Sequence, residues 1–224
     1  LKARTLRHVS KAFSEDPLRV LRCGQFLARL APLGFRVDEE TRLMMRRMAS
    51  SGSLDELSNH RVWNESAKAL RSRAPSQYFE LLFDLGLSNR IVSILDDIAA
   101  SAPPVLARTL QLMDESDDHQ PDAQLALAYV VAAFARIQVR LKTTDFPLDV
   151  MSKAGRDRVL TASQLAHAVR DCQLHPSWLL DELVLLDAIR RPERLAQAFE
   201  TAAEVAASAL GSHSLTNQCT LLRE

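Results

Sequence analysis

Helix punctuation at short intervals is the feature that most constrains this chain. Asp38 stands before Glu39 and Glu40, and Gly52 closes the segment after Met44, Met45 and Met48, which read as core filler. A side-chain acceptor, acids in the first turn and a terminal glycine are helix start and stop signals. Ser53-x-x-Glu56 then reads as a capping box. Asn59 can cap the next helix, with Val62, Trp63, Ala67 and Leu70 on its apolar side and Pro75 beyond its end. Ser76 starts another, with Phe79, Leu82 and Phe83 inside and Gly86 at its close. Further helices are expected at about 88–99, 103–114, 122–140, 156–173, 176–190 and 192–210. Strand-type alternation is absent and aromatic residues are only 5%, so the pattern predicts an all-α fold, an elongated helical array.

The stretch Ser14-Glu15-Asp16-Pro17-Leu18-Arg19-Val20-Leu21-Arg22 carries chemistry as well as a helix start. Ser14 is a good N-cap, Glu15 and Asp16 suit the positive end of the helix dipole, and Pro17 fits a first turn because its missing N–H costs nothing there. Asp16 and Arg19, three apart, leave one face. A carboxylate beside a guanidinium presents acceptors and donors together. Such a pair can read the Watson–Crick edge of a base: cytosine offers an amino donor and acceptors, and adenine a donor beside a ring acceptor. The competing reading is a Glu15–Arg19 surface pair, worth roughly 0.3–0.5 kcal/mol.

Charge is balanced overall, 28 basic against 28 acidic residues, so no global field attracts nucleic acid. It is unevenly placed. Residues 1–11 hold Lys2, Arg4, Arg7, His8 and Lys11 and no acid, a local face that can bind phosphate, joined by the arginines of the 36–47 region. Asp114, Glu115, Asp117, Asp118 and Asp122 flank His119 and read as an acidic solvated loop rather than a metal site. His167 and His175 sit among leucines as ordinary helix residues, and Trp63 and Trp178 as core. No apolar run approaches the roughly 18 residues of a membrane helix. Cys23, Cys172 and Cys219 are odd in number and far apart, which suits reduced thiols in a cytoplasmic protein.

The text from Leu6-Arg7-His8-Val9-Ser10 through Arg22 resembles the neck of bacterial class II tRNA nucleotidyltransferases, the CCA-adding enzymes. The resemblance continues through Leu33-Gly34-Phe35-Arg36-Val37, Glu40-Thr41, Arg46-Arg47-Met48 and Leu54-Asp55-Glu56-Leu57 to Arg61-Val62-Trp63-Asn64-Glu65. It returns at Leu186-Asp187-Ala188-Ile189-Arg190-Arg191-Pro192. The related poly(A) polymerases share the Glu-Asp-Pro-x-Arg core. By this resemblance residues 1–86 form a neck, 87–141 a helical body and 156–210 a helical tail; Thr143, Thr144, Pro147 and Gly155 mark 142–155 as a hinge loop between body and tail, and 211–224, from Gly211, reads as a flexible C-terminus.

The resemblance implies that Asp16 and Arg19 form an amino-acid template selecting CTP or ATP, with Arg22 one turn on, near the nucleotide. Glu15, Arg61 and Glu65 would brace that template, the last two by ion pairs unless they form a plain i,i+4 pair with each other. Lys2, Arg4, Arg7, His8 and Lys11 would contact tRNA. Gln25 and Lys11 depart from the arginine and proline usual in the family. The family's Gly-rich phosphate loop and Asp-x-Asp metal ligands belong to a head domain, and nothing like them is found in this text. Leu1-Lys2-Ala3-Arg4-Thr5 resembles the middle of the head-to-neck segment. The expectation is therefore the C-terminal part of a larger enzyme, with no catalytic residue or metal of its own, inactive alone, the Mg belonging to the head. Some relatives carry an HD phosphohydrolase site, but the corresponding text here is Ala107-Arg108-Thr109-Leu110 and the aliphatic 128–134. The alternative is a non-catalytic helical RNA-binding or adaptor module.

Overall fold

The computed structural model describes residues 3–87, 93–101, 103–115, 119–122, 124–125, 128 and 147–160. These residues are mostly helical. The exception is a two-residue parallel pair, β1 (Thr5–Leu6) with β2 (Arg36–Val37). Strands this short leave no alternation to read in the sequence, and β1 lies in the basic N-terminal text.

A 3-10 turn at Lys11–Glu15 leads into α1 (Leu18–Leu30). A second short turn, Ala31–Leu33, precedes β2, followed by α2 (Glu39–Ser50), a 3-10 turn at Ser53–Glu56, α3 (Asn59–Leu70), α4 (Pro75–Asp84), α5 (Ser93–Ser101) and α6 (Pro103–Glu115). Helix α1 packs against both α3 and α4, and α6 packs against α4 and α5. The inward stripe of α1 is Leu18, Leu21, Gly24, Gln25 and Ala28, spaced by three or four. It meets Leu70, Tyr78, Phe79 and Leu82 in an apolar cluster that runs on through Leu95, Ile98 and Met113 to Leu148 and Val159. Met45 and Met48 are buried in it and Met44 packs against it.

Gly24 is where α1 comes closest to α4. A Cβ placed there would stand 2.8 Å from Cδ2 of Tyr78. The Tyr78 ring has no exposed surface, and its hydroxyl lies 2.9 Å from Ser66 Oγ, which also bonds the Val62 carbonyl at 2.9 Å. Gly52, at φ +76°, closes α2 as expected.

Several expected caps do other work. Asp38 holds the N-cap position of α2, but its carboxylate makes no cap bond and instead meets Arg7 at 2.7 Å. Ser53 to Glu56 is a 3-10 turn, not a capping box, and Ser53 Oγ donates to the Met48 carbonyl at 3.1 Å. Ser58, not Asn59, is the residue before α3; Asn59 Nδ2 donates to Asp149 at 2.9 Å. Pro75 opens α4, as its fixed φ favours, and Ser76 bonds Asp114 on α6.

Helix α5 is described from Ser93; residues 88–92, where the expected helix starts, lie outside the described residues. Of the expected hinge, 147–155 is described: a turn with Leu148 buried, Asp149 tied to Asn59, and a helix starting at 153 rather than 156. Of the expected helix 122–140, residues 122, 124, 125 and 128 are described and helical; the rest of it, the expected helices at 176–190 and 192–210, the 186–192 motif, His167, His175, Trp178, Cys172, Cys219 and the terminus 211–224 lie outside the described residues.

Candidate nucleic-acid interface

Pro17 decides how α1 begins. The residue before a proline is pushed to an extended conformation, and Asp16 has φ −126° and ψ 105°. Pro17 itself is helical at φ −57°, so the helix follows at Leu18. Asp16 Oδ1 accepts the Leu18 N–H at 3.1 Å. Asp16 therefore caps the chain's entry into α1, and Ser14 does not. The Ser14 hydroxyl donates to the Lys11 carbonyl at 2.8 Å within the 3-10 turn. Because Glu15 also belongs to that turn, the i,i+4 geometry required for a Glu15–Arg19 pair is lost. The Glu15 carboxylate has no hydrogen-bond or ion-pair partner among the described residues, and Arg19 Nη1 donates to the Ala12 carbonyl.

Helix α3 faces this start. Arg61 Nη2 lies 3.4 Å from Asp16 Oδ1. One turn along, Glu65 Oε1 is 3.7 Å from Arg22 Nε and 2.8 Å from Lys68 Nζ. Arg61 and Glu65 thus pair across to α1 and not with each other. The Glu65 side chain is only 5% exposed, so its carboxylate needs cations close by. Lys68 was not anticipated, although its spacing of three from Glu65 was the available signal. Arg22 stays half exposed, and Asp16 Oδ2 has no partner among the described residues.

The expected RNA-contacting cations divide. Lys2 lies outside the described residues. Arg4 is exposed, at φ +46°, with its guanidinium against Gly34. Lys11 is exposed. Arg7 is exposed but paired with Asp38, and its hydrogen bond and charge hold the Asp38 carboxyl below the usual range. His8 is held inward: its N–H donates to Thr41 Oγ1 at 3.0 Å, its Nδ1 lies 2.8 Å from the same oxygen, and its ring packs on Phe13. On α2, Arg42 and Arg46 both clamp Asp84, at 3.1 and 2.5 Å.

The acidic stretch is described only in part, Asp117 and Asp118 lying outside the described residues. Asp114 accepts from the Ser76 N–H at 2.9 Å and the Ser76 hydroxyl at 2.6 Å, and Asp122 pairs with Arg158 at 3.2 Å. His119 is half-buried. No group of three or more His, Cys, Asp or Glu is gathered for a metal among the described residues. Thr109 and Leu110 are buried on α6 and Ala128 is buried; 129–134 lie outside the described residues. Cys23 is a free, buried thiol whose pKa burial pushes up to about 11. No described helix is long and apolar enough to cross a membrane.

Residues 34–98 match the family described as "Probable RNA and SrmB- binding site of polymerase A". The "Multifunctional CCA protein" of Pseudomonas putida is 35% identical over 207 residues, 92% of this chain and 53% of that protein. That of Thioalkalivibrio sulfidiphilus is 33% identical over 226 residues, 87% of this chain and 54% of its own length. That of Methylococcus capsulatus is 56% identical over 91 residues, 41% of this chain and 21% of its own. The chain spans about half the length of the first two of these relatives. No solved structure matches.

Proposed function

The chain belongs to the family of CCA-adding enzymes and poly(A) polymerases, and we propose that it is the part of such an enzyme that holds RNA and selects the nucleotide to be added. The proposed partner is tRNA, the nucleotides are CTP and ATP, and the setting is the cytoplasm. The carrying observation is the way Asp16 is fixed. Its Oδ1 is committed to the Leu18 N–H and to Arg61, which leaves Oδ2 to accept from a base amino group. Arg19, anchored by one nitrogen to the Ala12 carbonyl, has further N–H donors for the acceptors beside that amino group. Cytosine and adenine both carry an exocyclic amino group; uracil presents an acceptor in its place and is rejected. Arg22, positioned by Glu65, adds a cation one turn along for the nucleotide's phosphates.

Nucleotidyl transfer also needs divalent ions held by carboxylates to activate the attacking 3′-hydroxyl and steady the leaving pyrophosphate. In this reading that Mg belongs to a separate head domain, and the residues described contribute binding and selection. The test places Asp16→Ala and Arg19→Ala in the full-length enzyme and measures incorporation of all four nucleotides. A good bidentate contact is worth about 1–3 kcal/mol of discrimination, so preference for CTP and ATP should fall by roughly one to two orders of magnitude. Unchanged nucleotide choice, with melting temperature lowered, refutes the template role and leaves an RNA-binding or adaptor module.

A further inference from the structure

Two shallow clefts meet at one ridge, made by Pro32 and Leu33 at the end of α1. The first, about 540 Å³, is bounded by Arg29 on α1 and by Lys68, Arg71 and Arg73 at the end of α3. The second, about 660 Å³, has Arg4 and Phe35 on the other side of the same ridge. No carboxylate lines either cleft. Lys68 is neutralised by Glu65, but Arg4, Arg29, Arg71 and Arg73 have no ion-pair partner among the described residues. On a chain of formal net charge zero, this is a concentrated positive surface. The ridge is apolar and open: Leu33 is 60% exposed.

We propose that this double cleft is a site for an RNA strand, whose phosphodiesters sit on Arg29, Arg71 and Arg73 and whose bases lie against Leu33 and Phe35. This rests on the RNA-binding reading above and adds a location to it. Guanidinium groups match phosphate oxygens in pairs, and an apolar or aromatic face beside a cationic track is how single strands are held without reading sequence. The placement agrees with the template. Arg19 and Arg29 are ten residues apart on one helix, about 15 Å along its axis at 1.5 Å per residue. An RNA 3′ end beside Asp16 and Arg19 would then run back over the clefts within a few nucleotides. Lys68 connects the two regions, because its partner Glu65 also holds Arg22.

The experiment titrates a fluorescent tRNA acceptor stem lacking its last nucleotides with the full chain over a salt series. The variants are Arg29→Gln/Arg71→Gln/Arg73→Gln and the matching triple Lys variant. Each lost phosphate contact removes about 0.7–0.9 from the slope of log affinity against log salt. The Gln variant should therefore be shallower than the parent chain by about 2 to 3, and the Lys variant should keep the parent slope. Melting curves check folding; if the triple variant does not fold, Arg73→Gln alone, beyond the end of α3, should reduce the slope by about 1. A parent-like slope in a folded Gln variant overturns the inference but leaves the template reading standing, which nucleotide choice tests separately. If polyglutamate binds the parent chain, fails to bind the Gln variant, and RNA affinity is the same for both, the clefts are a protein-docking site and the proposal is wrong. A parent chain that binds no RNA overturns both the inference and the RNA-binding reading beneath it.

Discussion

Gly24→Ala puts one methyl group where α1 and α4 touch, and the structure sets two effects of opposite sign against each other. In an exposed helix interior this change stabilises by about 1 kcal/mol, because glycine loses more backbone freedom on folding. Here the new Cβ would stand 2.8 Å from Cδ2 and 3.1 Å from Cε2 of Tyr78. The ring is fully buried and cannot swing into solvent. It must move toward Ser66, disturbing the 2.9 Å hydroxyl contact, or push α4 away from α1. Overpacking of this kind costs about 1–3 kcal/mol, and leaving a buried hydroxyl unsatisfied about 1–3 more. Burial pushes the Tyr78 pKa well above the ordinary tyrosine value, so the group at stake is the neutral phenol. Subtracting the helix gain leaves a net destabilisation of about 1–5 kcal/mol, or a fall in Tm of roughly 2–20 °C for a chain of this size. Urea and thermal unfolding, followed by circular dichroism, measure it. The same change in a Tyr78→Phe background should cost less, because the hydroxyl contact is already gone while Ser66 keeps its bond to the Val62 carbonyl. A Gly24→Ala protein more stable than the parent refutes the close approach of α1 and α4.

Two further outcomes follow from ion pairs and hydrogen bonds. Asp38 has its pKa lowered by Arg7, so the folded state gains stability that is present above the ordinary carboxylate pKa and lost as pH falls through the depressed value; Asp38→Asn should flatten that part of the stability-against-pH curve, and an unaltered curve counts against the pair. Asp114→Ala strips Ser76 of the partner for both its buried N–H and its hydroxyl, and should lower stability by about 1–3 kcal/mol in urea unfolding, where Glu115→Ala, an exposed neighbour, changes it by less than about 0.5.

What the sequence made legible was the set of features governed by local periodicity. The apolar faces of α2, α3 and α4 were read correctly because a stripe at spacing three and four has to be buried somewhere. Gly52 was read correctly because a positive φ is a property of one residue. The caps were misread for a shared reason. Asp38, Asn59 and Ser76 each stand at a helix start, where a polar side chain has a local use, but each also lies within reach of another element. Their side chains bond Arg7, Asp149 and Asp114, partners that lie far off in the sequence. At Ser14 the failure was one of register: Pro17 delayed α1 by three residues, and the cap moved to Asp16. The cross-helix contacts Arg61–Asp16 and Glu65–Arg22 span more than forty residues of sequence, and no spacing rule reaches that far. Family likeness suggested Arg61 and Glu65 as braces. It did not suggest Lys68, or the unpaired arginines at the end of α3.

Glu65 shows why this ladder is better understood as positioning than as stability. A carboxylate at 5% exposure gives up most of its hydration, and two partly exposed cations at 3.7 and 2.8 Å return only part of that loss. Replacing such a buried charge set by apolar side chains of similar volume is often neutral or favourable for folding. What an apolar residue could not do is hold Arg22 and Lys68 at one carboxylate oxygen, Glu65 Oε1. Arg22 lies on α1 one turn beyond Arg19, and Lys68 lines the cleft beside Arg29. A single buried carboxylate on α3 therefore sets the spacing between the place where a base would be read and the place where an RNA strand would lie. The Tyr78–Ser66 contact, on the residue next to Glu65, ties that spacing to the packing of α1 against α4 at Gly24.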